Sequence, residues 1–366
     1  MRRTLRLSAA LAAVVILLGM SGCSSLLARK DTLIFTSAES VPGEAVLSTS
    51  ISSYTEEDTA ILLYYSIEMN TGLYNIRESA DNRSAYSLYL FDDNGERLLF
   101  SGPDPYTSAM IDPYDGSVYF KESSSEDLSV TLYRSDFDAS VKTAVTTQPS
   151  GAALPYYAAE GILYYADKDG TLTGYSPDGT YRYIYTFIPG SSVRKIYADP
   201  ASSTVYVLSS ISSRSTLLFS LDPASAAVTS IDAGVSDFMF SPFSGRLYYI
   251  KSAGTSDQLY SYSPDTYRNR LIYSGSVERF AVSPQDDYIV FITRNTQDTS
   301  AQSLWVITML TGDSAQLLTD TVFYGGIFFT GEDSVLFTTA ETTEQTTVYK
   351  VKRLEFKTDY SRRELR

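Results

Sequence analysis

The chain has 366 residues, 43% of them hydrophobic, a formal charge of −14, one cysteine and no histidine. That composition excludes histidine-based triads, histidine-ligated zinc or haem, and any internal disulfide. A body this acidic also repels nucleic acid, which binds proteins largely by releasing counterions to basic side chains.

The first element is an address. Met1–Arg6 is basic, Leu7–Leu18 is an almost unbroken apolar run, and Gly19-Met20-Ser21-Gly22 is small and neutral ahead of Cys23. These are the three regions of a secretory signal. The apolar run falls short of the roughly 20 residues that a spanning helix needs. Met20-Ser21-Gly22-Cys23 resembles the bacterial lipobox, with Met20 where that motif more often has Leu. The resemblance implies that residues 1–22 are removed, that Cys23 takes a diacylglycerol thioether, and that its new amine is acylated. Two or three chains together make a stable anchor where one alone is marginal. A lipidated tether, 23–31, then leads to the body. Ser24 follows the cysteine. The implied location is the cell envelope, outside the cytoplasm: outer membrane in a Gram-negative host, outer face of the cell membrane in a Gram-positive one.

From residue 32 to 356 the chain repeats itself. An aliphatic residue followed by an aromatic one or its stand-in recurs at Leu88-Tyr89, Leu132-Tyr133, Leu172-Thr173, Leu218-Phe219, Leu259-Tyr260, Leu304-Trp305 and Val348-Tyr349, spaced by 44, 40, 46, 41, 45 and 44 residues. A period of about 40–45 residues built of short β segments is the mark of propeller blades. The 30 tyrosines fit strands, where the ring packs on a pleated surface and the hydroxyl stays wet. Turns such as Asp112-Pro113-Tyr114-Asp115-Gly116, Asp199-Pro200, Ser241-Pro242-Phe243-Ser244-Gly245 and Ser283-Pro284 precede apolar strands such as Val118-Tyr119-Phe120, Val205-Tyr206-Val207 and Leu247-Tyr248-Tyr249. Proline presets the first corner of such turns, and Gly or Asp tolerates the return. The predicted fold is all-β, a seven-bladed β-propeller. The last repeat, Tyr324–Phe356, lacks an outer strand, and Thr32-Leu33-Ile34-Phe35-Thr36 is expected to supply it and close the ring.

The unit seen in Val282–Thr319, apolar–Ser-Pro-x-x-x–strand–loop–Leu-aromatic–x-x-x-x-Gly–Leu-Leu-Thr, resembles the WD40-like repeats of TolB-type propellers, and prolyl oligopeptidase propellers carry related units. The resemblance implies the fold over about residues 44–356 and no activity by itself.

Catalytic vocabulary is scarce. Asp92-Asp93-Asn94-Gly95 and Asp167-Lys168-Asp169-Gly170 hint at calcium loops, but the later bidentate acid is missing, and Asn-Gly or Asp-Gly between strands makes a hairpin turn. No cofactor, metal or catalytic residue is expected. The tyrosine doublets Tyr64-Tyr65, Tyr156-Tyr157, Tyr164-Tyr165 and Tyr248-Tyr249 are expected mainly to pack between blades. Residues 68–85 and 293–303 are expected to be long polar loops, and the first offers Tyr74, Asn75, Arg77 and Arg83 for contact with a partner. The end, Lys350–Arg366, is basic and expected to be solvated, with 357–366 beyond the propeller. The expectation is therefore a membrane-anchored propeller that binds a protein or envelope component without catalysis. The alternative is a carbohydrate-binding or carbohydrate-cleaving propeller with its site in the central funnel, where a carboxylate pair would act.

Overall fold

The computed structural model describes residues 48–53, 60–80, 83–149, 153–188, 190–212, 215–254, 256–294, 301–342 and 347–357. Its strands form seven four-stranded antiparallel sheets, and the innermost strands touch one another in sequence from the first sheet to the last and back to the first. The fold is a seven-bladed β-propeller. Blades 1 to 6 occupy 60–102, 106–148, 156–186, 192–233, 235–273 and 277–321, each running outward from the axis in chain order. Blade 7 takes three strands from 323–357 and its outermost strand from Ser48–Ser53.

The repeated dipeptide has a structural meaning. In blades 1 to 6 it lies in the third strand, and its leucine (Leu88, Leu132, Leu172, Leu218, Leu259, Leu304) is 0% exposed in every case. In the same six blades the register against the outer strand slips between the leucine and the residue after it. Such a bulge adds local twist, which an outer strand needs as it swings away from the axis. The residue after the leucine faces its cross-strand partner, and three of those pairs stack: Tyr89 on Tyr74 at 5.2 Å, Tyr133 on Phe120 at 5.6 Å and Tyr260 on Tyr249 at 5.7 Å. Blade 7 departs from this pattern. Val348 there is only half-buried, and the fully buried aliphatic is Val351, three residues later.

Two further expectations are corrected. An N-terminal strand does close the ring, but it is Ser48–Ser53, paired from Ser48↔Lys357 to Ser53↔Lys352; residues 32–36 lie outside the described residues. Ser48-Thr49-Ser50-Ile51-Ser52-Ser53 holds a single aliphatic residue, since an outermost strand needs little burial, and it therefore carries no apolar signal. Its partner strand, Thr347–Lys357, takes in the start of the basic stretch expected to be solvated; Val351, Leu354 and Phe356 are fully buried there. Second, residues 68–85 are not a loop. Thr71–Ala80 and Arg83–Asp92 form a long hairpin registered from Gly72↔Phe91 to Ala80↔Arg83. Buried Leu73, Ile76, Leu88 and Leu90 hold its base in the core. Within 293–303, Thr293 and Arg294 end one strand and Gln302 begins the next, while 295–300 lie outside the described residues.

The core is divided as the topology requires, with a buried apolar cluster between each pair of neighbouring blades. Polar clamps join the turns at one end of the ring. The Asp112 carboxylate accepts from the Tyr114 amide at 3.0 Å and, across to blade 3, from the Gly161 amide at 2.8 Å. Tyr248 donates to Asp286 at 2.9 Å, linking blade 5 to blade 6, and the Gln285 amide donates to Glu332 at 2.5 Å, linking blade 6 to blade 7. Both acidic turn motifs are turns. Asp167 Oδ1 accepts from the Asp169 and Thr171 amides, and Asp92 Oδ1 accepts from the Asn94 amide.

Candidate functional site

Where the innermost strands end and their proline turns begin, the ring opens into a funnel of about 570 Å³. Blades 1, 3 and 4 place Tyr64, Tyr157 and Tyr197 on its wall. The rings of Tyr157 and Tyr197 lie 4.4 Å apart. Burial drives all three phenols upward in pKa, Tyr197 to about 12, and the negative charge of Glu68 pushes each the same way. All three hydroxyls therefore keep their protons at neutral pH, and the field of Glu68 reaches every one of them.

Among the described residues three carboxylate residues line the funnel, Glu68, Asp112 and Glu160, and no lysine or arginine does. Asp112 is fully buried and engaged in the clamp to Gly161, and burial raises its pKa. Glu68 and Glu160 are exposed. Around the mouth the turns hold out large apolar groups: Tyr114 is 74% exposed, Phe243 67% and Ile67 40%. Tyr114 and Phe243 each follow the turn proline, Pro113 or Pro242, at the corner of corresponding turns. An aromatic wall with carboxylates and no basic group attracts cations, through ring quadrupoles and through a field focused by the low-dielectric walls.

The sequence candidates are spread more widely. Tyr74 is 0% exposed and donates to Glu96 at 2.7 Å, which removes it from any partner surface. Asn75, 7% exposed, donates to the Tyr106 carbonyl at 3.0 Å. Arg77 is exposed, and with Asn75 it borders a second cavity at the opposite end of the ring. Arg83 opens the third strand of blade 1, opposite Ala80. Cys23 lies outside the described residues. Of the tyrosine doublets, Tyr65, Tyr164, Tyr165, Tyr248 and Tyr249 are buried in the clusters between blades as expected, and Tyr64, Tyr65 and Tyr157 also line the funnel. Sequence reasoning missed Tyr197, Glu68, Tyr114 and Phe243. The aromatic residue after the turn proline was the available signal for the last two.

No protein-family model matches the chain, and no curated protein sequence does. Solved structures do resemble it. An oligogalacturonate lyase in complex with manganese superposes with a TM-score of 0.60 at 15% identity, covering 87% of this chain and 99% of that one. A structure from a study of two prolyl endopeptidases gives 0.59 at 12%, covering 81% of this chain and 50% of that one. TolB from Acinetobacter baumannii gives 0.47 at 12%, covering 79% and 80%. At such identities the likeness is one of fold. It nonetheless corrects one expectation: catalysis was expected to be absent because catalytic vocabulary is scarce, yet a lyase and endopeptidases share this architecture. The fold therefore gives no ground for excluding an enzyme.

Proposed function

We propose that the chain is a lipid-anchored, extracytoplasmic binding propeller whose funnel mouth holds a positively charged group of a protein partner or envelope component. The observation that carries this is the wall composition: Tyr64, Tyr157, Tyr197 and three carboxylate residues, with no basic side chain among the described residues of the lining. An ammonium or guanidinium entering there meets ring faces worth about 0.5–2 kcal/mol each, depending on desolvation. The exposed rim of Tyr114, Phe243 and Ile67 offers the apolar contact that surrounds such an anchor in an interface. The lipobox-like Met20–Cys23 supports the anchor and the location.

Choline and 3,3-dimethylbutan-1-ol have the same shape and differ in charge, so titrating both by calorimetry isolates the cationic contribution. Choline is expected to bind about fivefold or more tightly than the alcohol, and Glu68→Gln or Tyr197→Ala to remove that preference. Equal binding of the two probes would overturn the proposal. Neutral oligosaccharides binding in preference to the cation would favour the carbohydrate alternative.

A further inference from the structure

The opposite end of the ring has the reverse chemistry. A cavity of about 860 Å³ lies there among blades 7, 1 and 2, and among the described residues Arg77 is the one charged residue on its wall, in a chain whose formal charge is −14. The tall hairpin of blade 1 supplies Arg77 and Tyr86, with the guanidinium 6.0 Å from the Tyr86 ring centre. Blade 7 supplies Tyr324 and Tyr349, edge to face at 4.9 Å. Blade 2 supplies Thr107 and Ser108. The wall is held in place: Arg279 of blade 6 donates to the Gly325 carbonyl at 2.8 Å, and Gly325 has a φ of +71°, which other residues rarely adopt.

A second observation comes from the repeat itself. The second-strand residue opposite the buried leucine is Ala166, Leu208, Ile250 and Ile292 in blades 3 to 6, and Asn75 and Lys121 in blades 1 and 2. In blade 7 the residue opposite the buried Val351 is Thr338, so the three blades around the cavity are the three that place a polar group at this position. Lys121 pairs across the strands with the cavity residue Ser108. Its ammonium lies 5.8 Å from the Tyr156 ring centre, and among the described residues no carboxylate forms an ion pair with it. Burial lowers its pKa, as expected of an ammonium drawn from water without a counter-charge. A lysine in that position costs stability relative to the aliphatic residues of blades 3 to 6.

We infer that this cavity binds a small organic anion, a carboxylate or phosphate on a flat apolar body. Arg77 provides the exposed charge and Lys121 the charge behind Ser108. Tyr86, Tyr324 and Tyr349 enclose the body, and Thr107 offers a hydroxyl, while Ser108 donates its own to Tyr156 at 2.9 Å. Such a ligand supplies the counter-charge that Lys121 lacks, at the far end of the ring from the acidic funnel.

Benzoate, phenyl phosphate and the uncharged benzamide are suitable probes, followed by ligand-observed NMR and calorimetry on the wild type, Arg77→Gln and Lys121→Met. At least one of the two anions is expected to bind, about tenfold more tightly than benzamide and more weakly as salt is raised. Whichever anion binds better identifies the headgroup. Arg77→Gln should weaken binding about tenfold. Lys121→Met should weaken it several-fold while raising the melting temperature, because methionine restores the apolar pattern; a merely structural lysine would not give opposite signs. The inference is overturned if neither anion binds at about 10 mM. It is also overturned if benzamide binds as well as the anions, or if both variants bind as the wild type does. None of these results depends on the funnel, whose cationic probes report separately.

Discussion

Replacing Asp112 with alanine removes the clamp between blades 2 and 3 at the funnel mouth. Its carboxylate is fully buried and accepts two backbone donors, Tyr114 at 3.0 Å and Gly161 at 2.8 Å. Hydrogen bonds to a charged group contribute about 1.5–3 kcal/mol each. Against this stands the relief of no longer burying the carboxylate, a cost visible in its raised pKa. The net loss should be about 2–4 kcal/mol, the larger part from a buried Gly161 amide left without a partner. Asp112→Asn keeps one acceptor oxygen and turns an NH₂ toward the other amide, so about half of the loss should remain. Urea unfolding followed by tyrosine fluorescence gives the global effect, and hydrogen exchange at the Gly161 amide gives the local one. Because Glu160 and the exposed Tyr114 sit on the clamped turns, choline affinity at the funnel should fall as well. An alanine variant within about 0.5 kcal/mol of the wild type, with Gly161 exchange unchanged, would refute the clamp.

Three further outcomes are expected. Leu218→Ala and Leu304→Ala, at fully buried positions, should each cost about 2–5 kcal/mol, and Val351→Ala should cost clearly more than Val348→Ala, as measured by denaturant midpoints. The pKa values of Tyr197 and Tyr206 are raised to about 12 by burial, so the neutral phenol is the folded form; that contribution to stability is complete below about pH 10 and lost as pH rises toward 12. Tyrosine absorbance should accordingly show many phenols ionising only as the protein unfolds in that window; complete ionisation near pH 10 without unfolding would contradict it. Cys23→Ala should abolish labelling by a fatty-acid analogue and release the protein from the membrane fraction, whereas an unchanged membrane fraction would contradict the anchor.

The architecture was legible because each blade must bury one aliphatic residue at the same place in its third strand, and that demand imposes a period on the sequence. Leu88 through Leu304 display it without error. Where burial pressure drops, the signal disappears. The closing strand Ser48–Ser53 needs little apolar content, so Thr32–Thr36 looked the better candidate. Val348-Tyr349 imitated the pattern three residues early, because two neighbouring aliphatics compete there and only packing decides between them. The long hairpin of blade 1 was mistaken for a loop because Glu78, Ser79, Arg83 and Ser84 give its upper half no apolar alternation. The funnel was harder to foresee. Tyr64, Tyr157 and Tyr197 come from three different blades, and no spacing in the chain distinguishes a tyrosine facing the axis from one facing a neighbouring blade. Asn75 and Lys121 did carry a signal, as polar residues in a column that is aliphatic in blades 3 to 6, but it emerges only once the strands are in register.

The most direct measurement is a crystal soaked with tetramethylarsonium, a heavy-atom analogue of a quaternary ammonium, with arsenic located by anomalous scattering. The account predicts a peak in the funnel within about 6 Å of the ring centres of Tyr64, Tyr157 or Tyr197, lost in Glu68→Gln. A funnel free of arsenic, with the cation found instead beside Arg77 in the opposite cavity or nowhere on the ring, would contradict it.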